Sequence, residues 1–98
     1  MSKKFLQLNL IRKYFDLIAS GDKVIEYRDY TPYWHRRIAN RHYTHIRFRN
    51  GYAKVAPIME IVYRGYKVVE RKGRRSYALD LGEIISVYNY NPSTSRNI

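Results

Sequence analysis

The chain has 98 residues, 19 Lys and Arg against 8 Asp and Glu for a net charge of +11, eleven tyrosines and no cysteine. That length holds one domain with no second core, and the missing cysteines exclude disulfide staples and thiolate metal sites. No apolar run reaches membrane-spanning length, and too few apolar residues follow Met1-Ser2-Lys3-Lys4 for a signal peptide, so a cytoplasmic protein without membrane association is expected.

Phe5, Gln7 and Asn9 alternate with Leu6, Leu8 and Leu10, which predicts a strand over 3–10 with one buried face. The period then changes. Ile11, Tyr14, Phe15 and Ile18 fall at helical spacing, so an amphipathic helix is expected over 11–20, capped by Asn9 and ended by a left-handed Gly21. The next stretch, Val24 to Tyr30, is rich in β-branched and aromatic residues and predicts a short strand. Alternation puts Ile25 and Tyr27 on one of its faces and Glu26 with Arg28 on the other, while Lys23 stands at its entrance. One carboxylate and two cations of different geometry therefore meet at one strand end. Such a set can hold an anion, with Arg28 as a fork and Lys23 as a point charge. Two plainer readings compete: a solvated surface ion pair, and a Lys23 that merely offsets the negative end of the preceding helix.

Thr31 followed by Pro32 is a good helix start. Trp34 and Ile38, four apart, predict the anchoring face of a short second helix, which leaves His35, Arg36, Arg37 and Arg41 as a basic rim. The segment 44–50 alternates Thr44, Ile46 and Phe48 with His45, Arg47 and Arg49, a strand whose polar face either meets a polyanion or is simply solvated. Asn50-Gly51 signals a tight turn, with room in 52–55 for a longer excursion. Strands are then expected over 58–63 and 66–71, separated by a bulge at Arg64-Gly65, and over 76–81 and 83–88, punctuated by Gly82. Lys72 to Arg75 form a basic hairpin tip. The fold expectation is α+β: a small, mostly antiparallel curved sheet or β-barrel with one or two short helices, spanning 1–88, and a polar, frayed tail over 89–98.

The histidines at 35, 42 and 45 lack metal-ligand spacing, and no Gly-rich phosphate loop or Ser/His pairing is evident, so neither a metal nor a cofactor is expected. Arginine outnumbers lysine twelve to seven, which favours bidentate phosphate and base contacts. The tyrosines add planes on which unstacked bases can lie, although tyrosine also fills small β cores.

The spacing Gly21-x-Lys23-x-x-Glu26-x-Arg28, after a strand and a helix and before a basic segment, resembles the G-x-K-x-x-E-x-R signature of the ASCH domain family. The stretch from Tyr77 to Ile85 looks like that family's final strand, and Asn50-Gly51 falls where its members turn into the middle strands; the resemblance covers 3–88. It implies a barrel similar to the PUA superfamily, with a cleft floored by the Lys, Glu and Arg and proposed to bind RNA. One enzymatic branch of the family removes the acetyl group from acetylated cytidine. That branch places a threonine nucleophile where Glu26 stands here and an acid on an inserted helical segment where this chain has the short 72–75 turn. Both departures count against that reaction.

The functional expectation is a monomeric module that binds RNA or a nucleotide through Lys23, Glu26 and Arg28, flanked by Arg36, Arg37, Arg41, Arg47 and Arg49. The alternative is a small hydrolase or ribonuclease acting on RNA or modified nucleosides, with Glu26 as base and Lys23 and Arg28 stabilising charge. A protein partner remains a third class.

Overall fold

The computed structural model describes residues 2–92. Within them the order is β1 (Phe5–Leu10), α1 (Arg12–Ala19), β2 (Ile25–Asp29), α2 (Pro32–Trp34) running into a π-helical turn (His35–Ala39), β3 (His45–Asn50), β4 (Ile58–Arg71) and β5 (Arg74–Tyr88). The strands form one sheet in the order β1-β3-β4-β5-β2, with β1 parallel to β3 and all other pairs antiparallel. The chain is thus a small α+β fold built on a mostly antiparallel sheet with two short helices. β1 and β2 stand at opposite ends of the ladder and do not pair, so the sheet is open and the expected barrel closure by hydrogen bonds is absent among the described residues.

Alternation builds the core. Leu6, Leu8 and Leu10 of β1 are buried beside Ile46 and Phe48 of β3, to which they pair in parallel register or lie adjacent. Met59 and Ile61 from β4 and Tyr77, Leu79 and Leu81 from β5 complete the floor, and Phe15, Ile18 and Ile38 descend onto it from the helical segments. Burial of these side chains is the main favourable contribution, about 1.5–3 kcal/mol for each large one.

Helix α1 begins one residue later than its pattern suggests, with Ile11 at the N-cap position and no side-chain cap; Asn9 instead stays in β1, opposite Arg49. Only Phe15 and Ile18 of its apolar stripe are buried, whereas Ile11 and Tyr14 are exposed. A narrower stripe suffices because an eight-residue helix crosses the sheet over little more than two turns. Gly21 does end the helix, in the left-handed region at φ +88°. In α2, Thr31 Oγ1 accepts the Trp34 N–H and Pro32 occupies the first turn, as the sequence indicates. The Tyr43 hydroxyl then donates to the Arg37 carbonyl at 2.6 Å, which satisfies one of the acceptors left at the end of the π turn.

The four short strands expected after Pro57 are two long ones. The β4–β5 ladder persists from Ile58↔Tyr88 to Arg71↔Arg74 across register shifts at Glu60/Ile61, Ile61/Tyr63 and Tyr63/Tyr66. Bulges bend a strand without ending its pairing, so one ribbon serves β3 with its first part and β2 with its last. Gly82 leaves room at that bend: a Cβ there would lie 2.7 Å from Arg64 Nε and 3.2 Å from Val62 Cβ, so both side chains would have to shift. The hairpin tip is a two-residue turn, Lys72 and Gly73, both at positive φ, the geometry that matches strand twist. Asn50-Gly51 opens a longer excursion rather than a two-residue hairpin, closed by the Asn50 N–H donating to the Pro57 carbonyl at 3.0 Å.

Past β5 the chain is held rather than frayed as far as it is described. The Tyr90 ring lies 5.1 Å from that of Phe15, its hydroxyl donates to Asp16 at 2.7 Å, and Arg12 donates to the Asn91 carbonyl at 2.6 Å. The rest of the expected tail, 93–98, lies outside the described residues. Among those described, no helix is long and apolar enough to cross a membrane.

Candidate functional site

Strand β2 hangs on β5 in the register Glu26↔Leu79 and Arg28↔Tyr77. Directly opposed residues in an antiparallel pair share a face. Leu79 and Tyr77 are core residues, so the charged face of β2 is the inward one, and Glu26 is only 6% exposed. The surface ion-pair reading of this stretch is therefore wrong. Ile25 and Tyr27 take the opposite face, and Val24 is exposed.

Lys23 enters this face from the helix end. Its N–H donates to the Leu17 carbonyl at 3.0 Å, so the backbone rather than the ammonium satisfies the last turn of α1. The ammonium turns toward the strand, donating to the Ile25 carbonyl at 2.7 Å and lying 3.4 Å from Glu26 Oε1. Glu26 Oε2 accepts from Arg28 Nε at 2.9 Å and lies 2.7 Å from Arg28 Nη2, a two-pronged contact that fixes the guanidinium plane. Arg28 Nη2 also donates to the Asn9 carbonyl at 3.0 Å, reaching from one end strand of the sheet to the other. The three side chains expected to converge do so. They leave one net positive charge, and Oε1 keeps acceptor capacity beside the Lys23 ammonium.

Glu26 lies at the shared floor of two concavities. One, about 340 Å³, is bounded by Asn9, Tyr14, Tyr27, Arg28 and Trp34. The other, about 220 Å³, is bounded by Tyr14, Lys23, Tyr27 and Arg71. Their walls are aromatic and carry cations: Lys23 Nζ lies 5.5 Å and 5.4 Å from the Tyr14 and Tyr27 ring centroids, Arg28 Cζ 5.1 Å from Trp34, and Arg71 Cζ 3.6 Å from Tyr27. Each of these guanidinium or ammonium contacts holds a flat side chain by cation–π attraction.

The remaining candidates are distributed differently. Arg37 donates to the Gln7 carbonyl at 2.7 Å and its Cζ lies 5.1 Å from the Trp34 centroid, so it braces the back of the tryptophan. Arg36 and Arg41 are exposed. Arg47 is engaged by Glu60 at 2.7 Å and lies 4.2 Å over Phe5, while Arg49 donates to the carbonyls of Gly51 and Ala53. Those two arginines thus hold the sheet and the 51–57 loop together. Glu60 is occupied by Arg47 and Glu83 is exposed beside Gly82, so neither joins Glu26. His35 is not part of an outward rim; its Nδ1 meets the Tyr77 hydroxyl at 2.5 Å. Burial, then the neighbouring Tyr30 and Tyr66, raises the Tyr77 pKa.

Sequence reasoning missed Tyr14, Tyr27, Trp34 and Arg71 as cleft residues. Tyr14 carries a misleading signal, its place on the helical stripe, and the spacing of Trp34 to Ile38 favours packing over base-stacking. Arg71 carried none, because it is brought to Tyr27 by the β4–β5 hairpin from forty-odd residues away. Among the described residues no group of His, Asp and Glu is placed to hold a metal ion. Comparison of the chain with protein-family models, curated proteins and solved structures finds no match to any of them.

Proposed function

We propose that this chain binds RNA or an RNA-derived nucleotide in the cleft floored by Lys23, Glu26 and Arg28. One observation carries the reading: a buried carboxylate held between two cations lines two concavities walled by Tyr14, Tyr27 and Trp34. An unstacked base fits between such walls, with its exocyclic amine donating to Glu26 Oε1 and a phosphate drawn by Lys23, Arg28 and the net charge of +11. The same arrangement supports the resemblance to the ASCH domain family and its PUA-like barrel. The Arg28 bridge to Asn9 joins the two end strands where a closed barrel would have ladder bonds. On this reading the protein is a monomer that works in the cytoplasm.

The flanking path belongs to Arg36 and Arg41, which are exposed, more than to Arg47 and Arg49, which are engaged within the fold. The test is titration of the purified chain with RNA across a salt series. Binding that weakens steeply with salt and is lost on Lys23→Gln and Arg28→Gln is expected. No binding to any RNA at low salt would overturn the proposal.

Glu26 Oε1 also favours a second reading. An acceptor beside an ammonium is the atom from which a general base would work in a ribonuclease or a modified-nucleoside hydrolase. Turnover of labelled RNA or of modified nucleosides that vanishes in Glu26→Gln while binding persists would establish it.

A further inference from the structure

The cleft continues past Arg28. A third concavity, about 360 Å³, is bounded by Asp29, Tyr30, Thr31, Arg74 and Arg75. It adjoins the 340 Å³ concavity at Asp29, and that one adjoins the 220 Å³ concavity at Tyr14, Glu26 and Tyr27. The three hollows therefore follow one another around β2, each sharing lining residues with the next. From Glu26 to Tyr30 the strand advances about 13 Å.

Each hollow repeats the same chemistry. The first pairs Tyr14 and Tyr27 with Lys23 and Arg71, the second pairs Trp34 with Arg28, and the third pairs Tyr30 with Arg74 and Arg75. The third aromatic is held in place from behind. The Tyr30 ring packs 4.5 Å from that of His35 and 5.2 Å from that of Tyr77, and His35 and Tyr77 are joined by their own hydrogen bond. Arg75 Cζ lies 5.8 Å from the Tyr30 ring centroid, and Tyr30 as a whole is exposed. A ring held in this way loses little side-chain freedom when a base stacks on it. Both outer hollows take their arginines from one hairpin tip, Arg71 on one side and Arg74 and Arg75 on the other. Asp29, at the junction of the second and third hollows, excludes a phosphate from that point and favours a base donor there.

Resting on the nucleic-acid reading above, we infer that this row of hollows takes a single-stranded stretch of three consecutive ribonucleotides rather than a mononucleotide or a duplex. Alternating planes and cations match the alternation of bases and phosphates along one unstacked strand. Bases stacked inside a duplex cannot reach rings recessed in hollows. The central base lies against Trp34 over Glu26, and the outer phosphates lie on Lys23 with Arg71 and on Arg74 with Arg75.

The single tryptophan of the chain lines the central hollow, so its fluorescence reports binding directly. The experiment titrates the protein with the four homo-oligoribonucleotides in lengths from one to six at fixed low salt. Affinity for the preferred base is expected to rise at least tenfold from one to three nucleotides. Beyond three it should rise only by the statistical gain of extra registers. The double variant Arg74→Gln/Arg75→Gln, at two exposed positions, is expected to lower trinucleotide affinity about tenfold and leave mononucleotide affinity within twofold. Mononucleotide binding as tight as trinucleotide binding would overturn the three-nucleotide inference while leaving the cleft reading intact. A duplex that binds more tightly than the single strand would do the same. Absence of binding by every oligonucleotide would overturn both.

Discussion

Strands β2 and β3 are written in nearly the same way and used in opposite ways. Each alternates apolar residues with charged ones: Ile25 and Tyr27 with Glu26 and Arg28, Ile46 and Phe48 with Arg47 and Arg49. In β3 the apolar face is buried, and the arginines are spent on structure, one against Glu60 and one on loop carbonyls. In β2 the charged face is the inward one, and its carboxylate is nearly sealed from water. The difference is positional. β3 lies between β1 and β4 and must contribute to the core floor, whereas β2 is an end strand whose inward face looks past the core into the gap beside β1. A period of two shows which residues share a face; the place of the strand in the sheet decides what that face meets.

The sharpest way to break this contrast is to remove the two carboxylates in turn. Glu26→Ala leaves two part-buried cations without their counter-charge and is expected to cost about 3 kcal/mol in urea unfolding. Glu60→Ala, at a more exposed pair, should cost about 1 kcal/mol. Equal costs would mean that the two strands use their charges alike. Next in size is the effect on binding. Arg28→Gln should weaken RNA affinity at least tenfold and Arg47→Gln no more than about twofold, since a charge-assisted contact is worth about 1.5–3 kcal/mol. A reversed order would move the interface to the β3 face.

The aromatic residues sharpen the contrast further. Tyr63, on the β3 side, buries a hydroxyl with no hydrogen-bond partner among the described residues, and burial followed by Tyr66 and Tyr43 pushes its pKa up to about 12. The folded chain therefore holds that proton more tightly than the unfolded chain. The resulting stability is fully present below pH 10 and is lost as pH rises from 10 toward 12. Tyr63→Phe should flatten this alkaline loss, change stability at pH 7 by only a few tenths of a kcal/mol, and leave RNA affinity unchanged. Tyr27→Ala, on the β2 side, should instead reduce RNA affinity about tenfold. At the chain's close, Tyr90→Phe removes one hydrogen bond to Asp16 and should lower the melting temperature by a few degrees, about 1 kcal/mol.

How much of this was legible follows from which signals are local. The alternation of β1 and β3, the Gly21 stop, the Thr31-Pro32 start and the Lys72-Gly73 turn were all written in adjacent residues. The meeting of Lys23, Glu26 and Arg28 was legible for the same reason, because strand period and a helix end place them together. What was not legible depended on pairing. The bulge at Arg64-Gly65 was legible, but Gly82 looks like a strand break, and only the continuous β4–β5 ladder shows that the strand runs on. The inward turn of Glu26 required its register with Leu79. Tyr14 was claimed by a helical stripe wider than the sheet could cover, and Arg71 reached the cleft through a hairpin whose packing no local pattern records.

The two guanidinium bonds to β1 have a consequence for the life of the protein outside its cleft. Arg37 and Arg28 occupy the outward carbonyls of Gln7 and Asn9, the acceptors that an intruding strand from another molecule would seek first. Naked sheet margins seed amyloid-like stacking and domain exchange. Here two cations stopper that margin, and their mutual repulsion with an approaching copy adds a second deterrent. Any variant that strips Arg28 to silence the cleft also uncorks the margin, and its solubility over time becomes a readout in its own right.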